Sequence, residues 1–269
     1  MSMELNKIYI ENCLETMARM PDGFLNLVVT SPPYDNLRSY NGYSFDFEAV
    51  AKELFRVVKP GGVVVWVVGD ATIEGNETGT SFRQALYFKE IGFCLYDTMI
   101  YQKMGQPTPQ KPEIRYAPVF EYMFVFCKGV RPSSVNLILQ ENKHRAGVKK
   151  NWSKMQRGGE VLKYTGITRD SGVLPNVWLI DSVNETTESR KHPAPFPEVL
   201  AKRHIYTWSN DGDIVYDPFM GSGTTAKMAH LQNRQWIGSE ISAEYVALAE
   251  KRLQPYLTQG SLFTSDSCV

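Results

Sequence analysis

Six residues, Val63-Val64-Val65-Trp66-Val67-Val68, run without a polar break and constrain the fold more than any other stretch. A strand with water on one face alternates apolar and polar residues. An unbroken, β-branched run belongs to a sheet covered on both faces, the mark of parallel strands joined by helices. The preceding stretch supplies such a helix: in Phe47 to Val58, residues Val50, Leu54, Val57 and Val58 gather on one side, and Lys59-Pro60-Gly61-Gly62 stops it. A second apolar run, Phe24 to Val29, ends at Thr30-Ser31-Pro32-Pro33-Tyr34. A third, Ile214-Val215-Tyr216, ends at Asp217-Pro218-Phe219-Met220-Gly221-Ser222-Gly223-Thr224. Open α/β sheets hold their ligands beyond the carboxyl ends of the strands, so these two ends are where chemistry is expected.

The first end is stiff and short of donors. Pro32 and Pro33 have no N–H and hold φ at about −65°. Ser31, ahead of a proline, is driven to an extended conformation. What remains are acceptors, the Ser31 hydroxyl oxygen and the carbonyls of Ser31, Pro32 and Pro33, beside the flat face of Tyr34. Such a corner suits a planar ligand with a reactive NH₂, as on a nucleobase; an ordinary Pro-Pro turn is the plainer alternative. The second end is a glycine turn. Gly221, Gly223 and Ala226 match the G-x-G-x-x-G/A spacing of nucleotide-binding turns. The helix-like Thr224 to Leu231 follows, and its first N–H groups favour a negative ligand group. Trp236-Ile237-Gly238 then leads to Ser239-Glu240, an acid placed for ribose hydroxyls. No Lys follows the glycines, which disfavours a phosphate-cradling P-loop.

Three blocks in order, Thr30 to Tyr34, Lys191 to Pro197 and Asp217 to Thr225, resemble the β class of S-adenosylmethionine-dependent DNA amino-methyltransferases. The resemblance covers residues 5 to 255. It implies an α/β, circularly permuted Rossmann-like methyltransferase fold: a mostly parallel sheet with an antiparallel edge strand, helices on both faces, and an inserted target-recognition segment. The implied organisation is a catalytic half over 1–128, a target-recognition and DNA-binding segment over 129–189, a cofactor-binding half over 190–257 and a mobile tail over 258–269. Ser31, Pro32, Pro33 and Tyr34 take the catalytic roles. S-adenosyl-L-methionine is expected on Asp217, Pro218, Phe219, Gly221, Ser222, Gly223, Thr224 and Glu240, with Phe196 and Pro197 beside its methionine end. The family's acid after the first short strand corresponds here to Glu11-Asn12; Asn12 is either a cofactor contact or a helix N-cap.

The implied reaction is methyl transfer to N4 of a flipped-out cytosine in double-stranded DNA. Ser-Pro-Pro-Tyr resembles the cytosine-N4 branch, whereas Asp-Pro-Pro-Tyr is usual for adenine-N6. The physics of accepting from an NH₂ does not separate the two, so adenine-N6 stays open, and RNA or a protein amide is a more distant alternative. The expected partner is double-stranded DNA. The resemblance also admits a restriction endonuclease acting on the same site and a homodimer. A nicotinamide dehydrogenase would share the glycine spacing but leave the Pro-Pro-Tyr block without a purpose.

The middle segment fits a DNA partner. The whole chain has a formal net charge of +0, so positive charge must be local. From Glu141 to Lys163, seven Lys or Arg stand against two acids, with His144, Trp152 and Tyr164 interleaved. Arg145, Lys149, Lys150, Lys154, Arg157 and Lys163 are the expected phosphate contacts. A solvated charged loop is the alternative. Phe93 to Tyr101 and Val119 to Phe126 read as the antiparallel edge pair, and Val177 to Ile180 as a return strand. Cys13, Cys94, Cys127 and Cys268 form no C-x-x-C pair, so neither a metal site nor a disulfide framework is expected. With no apolar run of membrane-spanning length and no signal-like start, no membrane is expected and the location is cytoplasmic, nucleoid-associated, in a prokaryote or phage.

Overall fold

The fold is that of a computed structural model, which describes residues 3–33, 46–104, 115–141, 147–155, 161–181 and 197–258. Tyr34, Arg145, Arg157, Phe196 and the Lys191–Phe196 block lie outside the described residues, as does the Lys150 side chain. Two compact units are present: Met1–Asn136 with Asn176–Val269, and Leu137–Pro175.

The larger unit opens with β1 (Lys7–Ile10), α1 (Cys13–Ala18), β2 (Leu25–Thr30), α2 (Phe47–Val57) and β3 (Val58–Val68). A small hairpin, β4 (Thr72–Ile73) and β5 (Asn76–Glu77), leads to α3 (Thr80–Glu90), β6 (Cys94–Lys103) and β7 (Phe120–Cys127). The smaller unit holds β8 (Leu139–Glu141), β9 (Lys149–Met155), β10 (Val161–Ile167) and β11 (Ser171–Val173). The chain then re-enters the larger unit with β12 (Val177–Ile180), α4 (Glu198–Trp208), β13 (Ile214–Asp217), α5 (Thr224–Leu231), β14 (Gln235–Glu240) and α6 (Ala243–Thr258).

Eight strands form one sheet in the order β1-β14-β13-β2-β3-β7-β6-β12. The late strands β13 and β14 insert between the early β1 and β2, the sheet order expected of a permuted chain. Every pairing is parallel except those of β7, which runs against both β3 and β6. The mostly parallel α/β fold is therefore as expected, but the reversed strand is not at the edge. β12 adds in parallel outside β6 and takes the edge, with the alternating burial of a strand that has a neighbour on one side only.

The unbroken run in β3 is covered on both faces. Val64, Trp66 and Val68 join a core with Val50, Leu54 and Phe88 of α2 and α3. Val63, Val65 and Val67 are buried as completely and point the other way. Trp66 donates its indole N–H to Gln84 at 2.8 Å, so the large ring is buried without an unpaired donor. Lys59-Pro60-Gly61-Gly62 does not separate helix from strand as a free turn; it bulges out between the paired positions Leu25↔Val58 and Leu27↔Val63. Asp70 accepts from the Ser81 amide at 2.9 Å and caps α3, whose N-cap, Gly79, has no side chain for the task. Ser242 caps α6, accepting from Tyr245 N at 3.4 Å.

The 129–189 segment is narrower as a separate unit than the sequence suggested. Ser133 bonds back to Gly61, Asn136 to Thr207 of α4, and 177–180 is the sheet's edge strand. These contacts assign both ends of the segment to the larger unit.

Candidate active site at the carboxyl ends of β2 and β13

β2 and β13 are parallel neighbours, with Val215 opposite Leu27 and Tyr216 opposite Val28. Their carboxyl ends, the Ser31-Pro32-Pro33 corner and the glycine turn, therefore emerge on one edge. Asp217 ties them together. Its Oδ1 accepts from the Thr30 hydroxyl at 2.7 Å and from Phe219 N at 3.0 Å, and its Oδ2 takes the Thr225 hydroxyl at 2.7 Å. Thr225 Oγ also lies 3.2 Å from the Val29 carbonyl. Thr30, the residue before Ser31, is wholly buried, and Asp217 is 5% exposed. Burial pushes the Asp217 carboxyl up to about 6; the hydroxyls of Thr30 and Thr225 and the Phe219 amide resist that shift, while the nearby Glu240 charge adds to it. Asp217 is thus a buried latch between the two strand ends.

The glycine turn is also occupied from within. Gly221 donates to Glu240 Oε2 at 2.9 Å and Gly223 to the Met220 carbonyl at 2.9 Å. These two glycine amides thus shape the turn. Gly223 is required twice over: its φ is +80°, and a Cβ there would sit 2.9 Å from the Ala249 Cβ of α6. Ser222 and Thr224 are buried beneath the turn. Arg252 of α6 donates to the Ser222 carbonyl at 3.1 Å and to Thr224 Oγ1 at 3.0 Å. Its other terminal nitrogen meets Glu198 of α4, which also accepts from Lys227 of α5 at 2.8 Å. Burial opposes ionisation of Glu198, but its two cationic partners outweigh that and hold its carboxyl below the ordinary range. Pro197, just before Glu198, is the N-cap of α4. Pro218 is buried, and the half-buried Phe219 ring lies 6.3 Å from the Trp66 ring.

Glu240 ends β14 beside this turn. Its oxygens accept from Gly221 N and, at 2.9 Å, from Ser242 N. Burial raises its carboxyl above the usual range against three backbone amides, those of Ser242, Gly221 and Ile241. Asn12 is seen in its capping role, with Oδ1 accepting from Leu14 N at 2.9 Å. Glu11 is anchored: it accepts from Thr16 at 2.6 Å and pairs with Arg19. A buried relay leads to it, from Tyr216 OH to Ser239 Oγ at 2.7 Å and from Ser239 to Thr16 at 2.8 Å. Cys13 packs nearby, but burial pushes its thiol up to about 12, so it supplies no thiolate nucleophile.

Ser31, Pro33, Phe219 and Glu240 keep partial exposure at the strand ends, as do Glu11 and Asn12 after β1. Sequence reasoning did not single out Thr225, Glu198, Lys227 or Arg252 as parts of the site. Thr30 and Thr225 carried one available signal, a hydroxyl at an apolar strand end and a hydroxyl just after the glycines. The ion pairs on α4, α5 and α6 carried none. Of the expected DNA contacts, Lys149 and Lys154 lie on β9 and Lys163 on β10 in the smaller unit.

A family model described as DNA methylase matches residues 25–251. The chain is 54% identical over 246 residues to the orphan methyltransferase M.BamHII of Bacillus amyloliquefaciens, an alignment covering 88% of this chain and 91% of that one. The PvuII DNA methyltransferase (cytosine-N4-specific) superposes with a TM-score of 0.71 over 98% of this chain and 89% of its own, at 22% identity, a likeness of fold. A DNA modification methylase of Thermus thermophilus, TTHA0409, solved in complex with S-adenosyl-L-methionine, superposes with a TM-score of 0.62 over 96% of this chain and 99% of its own, at 25% identity.

Proposed function

The chain belongs to the N6 and N4 DNA methylase family, the β-class amino-methyltransferases, and from that premise we propose that it methylates N4 of a flipped-out cytosine in double-stranded DNA with S-adenosyl-L-methionine as donor. One observation carries the reading: the 2.7 Å bond from Thr30 to Asp217, which sets the acceptor-lined corner against the glycine turn. The residues at the turn suit this donor molecule. A carboxylate offers about four acceptor positions; Glu240 spends three on backbone amides and keeps room for a ribose hydroxyl. Phe219 offers a half-exposed aromatic face, and Pro197 stands at the start of α4.

When bound, S-adenosyl-L-methionine supplies an electrophilic sulfonium methyl group. The protein's own part is to prepare the amine. An exocyclic amine shares its lone pair with the ring and attacks poorly. The Ser31 hydroxyl oxygen and the Ser31 or Pro32 carbonyl accept from its two N–H bonds and favour a more tetrahedral nitrogen, while Tyr34 stacks on the ring. Positioning and fixed dipoles account for the acceleration. The base must first leave the duplex, at a cost of a few kcal/mol.

Digestion of methylated DNA to nucleosides followed by mass spectrometry tests the reading. N4-methylcytosine is the expected product. N6-methyladenine would overturn the choice of base and leave the amine chemistry standing.

A further inference from the structure

The two-stranded ribbon β9–β10 has one face that the proposed function has not yet used. Its register pairs Lys149 with Ile167, Asn151 with Thr165, and Ser153 with Lys163. Successive residues alternate sides, so Lys149, Asn151, Ser153, Lys163 and Thr165 share one face. All five are exposed; on the opposite face Leu162 and Gly166 are half-buried and Lys154 and Tyr164 are exposed. Val161 and Ile167, also exposed, lie at the two ends of this face, so its centre is the polar part. Two of the ribbon's four lysines, Lys149 and Lys163, lie on this face, and neither strand carries an acid, although the whole chain is neutral. A surface of that charge and width suits one partner, the major groove of duplex DNA, which is about 12 Å wide and admits a two-stranded ribbon.

At the middle of this face one side chain is already oriented. The Thr165 hydroxyl donates to Asn151 Oδ1 at 2.9 Å. With Thr165 donating, the amide oxygen faces the hydroxyl and the NH₂ faces away. The neighbouring pair, Ser153 and Lys163, lies two residues along the strand, about 6.8 Å away, which is two base-pair steps of about 3.4 Å. Cations bring the ribbon to the phosphates without regard to sequence; a clamped amide has the fixed geometry that sequence reading needs.

Resting on the reading of the chain as a DNA amino-methyltransferase, the geometry points to Asn151, held by Thr165, as a specificity-determining residue that donates to a purine acceptor, N7 or O6, in the major groove of the target site.

The test is to express the wild-type chain, Asn151→Ala and Asn151→Asp in a host with unmethylated DNA and to sequence every methylated position. Asn151→Ala is expected to relax one base-pair position of the wild-type motif, with discrimination there falling by about tenfold to a hundredfold. Asn151→Asp turns the donor into an acceptor and is expected to move the preference at the same position toward a base presenting an amino group. Asn151 is exposed, so neither change threatens the fold. An unchanged motif in both variants, with methylation either intact or uniformly weaker at every site, overturns the assignment. Absence of any methylated amine with the wild-type chain would instead refute the parent reading, so the two failures are distinguishable.

Discussion

Replacing Asp217 with Asn tests the latch between the two strand ends directly. Burial lifts the Asp217 carboxyl from 3.8 to about 6, a rise worth on the order of 3 kcal/mol at about 1.4 kcal/mol per unit. The pKa is raised on folding, so the native state binds this proton more tightly than the unfolded chain does. Its stabilising contribution is complete below pH 3.8 and is lost as pH rises through about 6. Asn does not titrate. The stability of the wild type relative to Asp217→Asn should therefore grow by about 2 kcal/mol between pH 7 and pH 4. Glu11 and Glu198, whose carboxyls are held low, work in the opposite direction, but they are common to both proteins and cancel in the difference. Glu240 is raised by burial and shares the sign of Asp217; losing its charged neighbour trims the effect slightly. The assay is urea unfolding of both proteins at several pH values, followed by tryptophan fluorescence. A stability difference that stays constant between pH 4 and 7 would refute the buried, ionised latch.

Three further outcomes are expected. Ser31→Ala removes one acceptor for the amine and should lower kcat by about tenfold to a hundredfold, with the dissociation constant for S-adenosyl-L-methionine unchanged by calorimetry. Gly223→Ala places a Cβ 2.9 Å from Ala249 at a φ of +80°; strain and overpacking together should cost about 2–4 kcal/mol in denaturant unfolding. Lys149→Met should lower the slope of log affinity against log salt by about 0.9 if it neutralises one phosphate, and should leave the methylated motif as it is.

The sequence alone carried the order of the blocks, the buried run of β3, the acceptor-rich corner after β2, the glycine turn with its acid one strand later, and the basic middle segment. These are legible because they are local. Apolar periodicity, proline geometry and glycine spacing act within a few residues, and each leaves a mark in the string. Asn12 shows the limit of that legibility: its position allowed a cap or a cofactor contact, and only its bond to Leu14 N displays the first. The lysine pair Lys149-Lys150 reads as one basic patch in the string, yet strand alternation sends the two positions to opposite faces of the ribbon.

The tertiary structure decided what each residue is for. Asp217 read as a ligand contact because it stands at the head of the glycine turn; only the fold shows it to be a latch as well, because Thr30, 187 residues away in sequence, lies beside it. The reversed strand β7 read as an edge until β12 paired outside β6. Glu240 read as an acid for ribose hydroxyls; only the fold shows that it also holds the Gly221 amide. In each case the partner arrives through sheet pairing and helix packing between segments distant in the chain. A buried polar group must satisfy its hydrogen bonds with whatever the fold brings near, and no local pattern records what that will be.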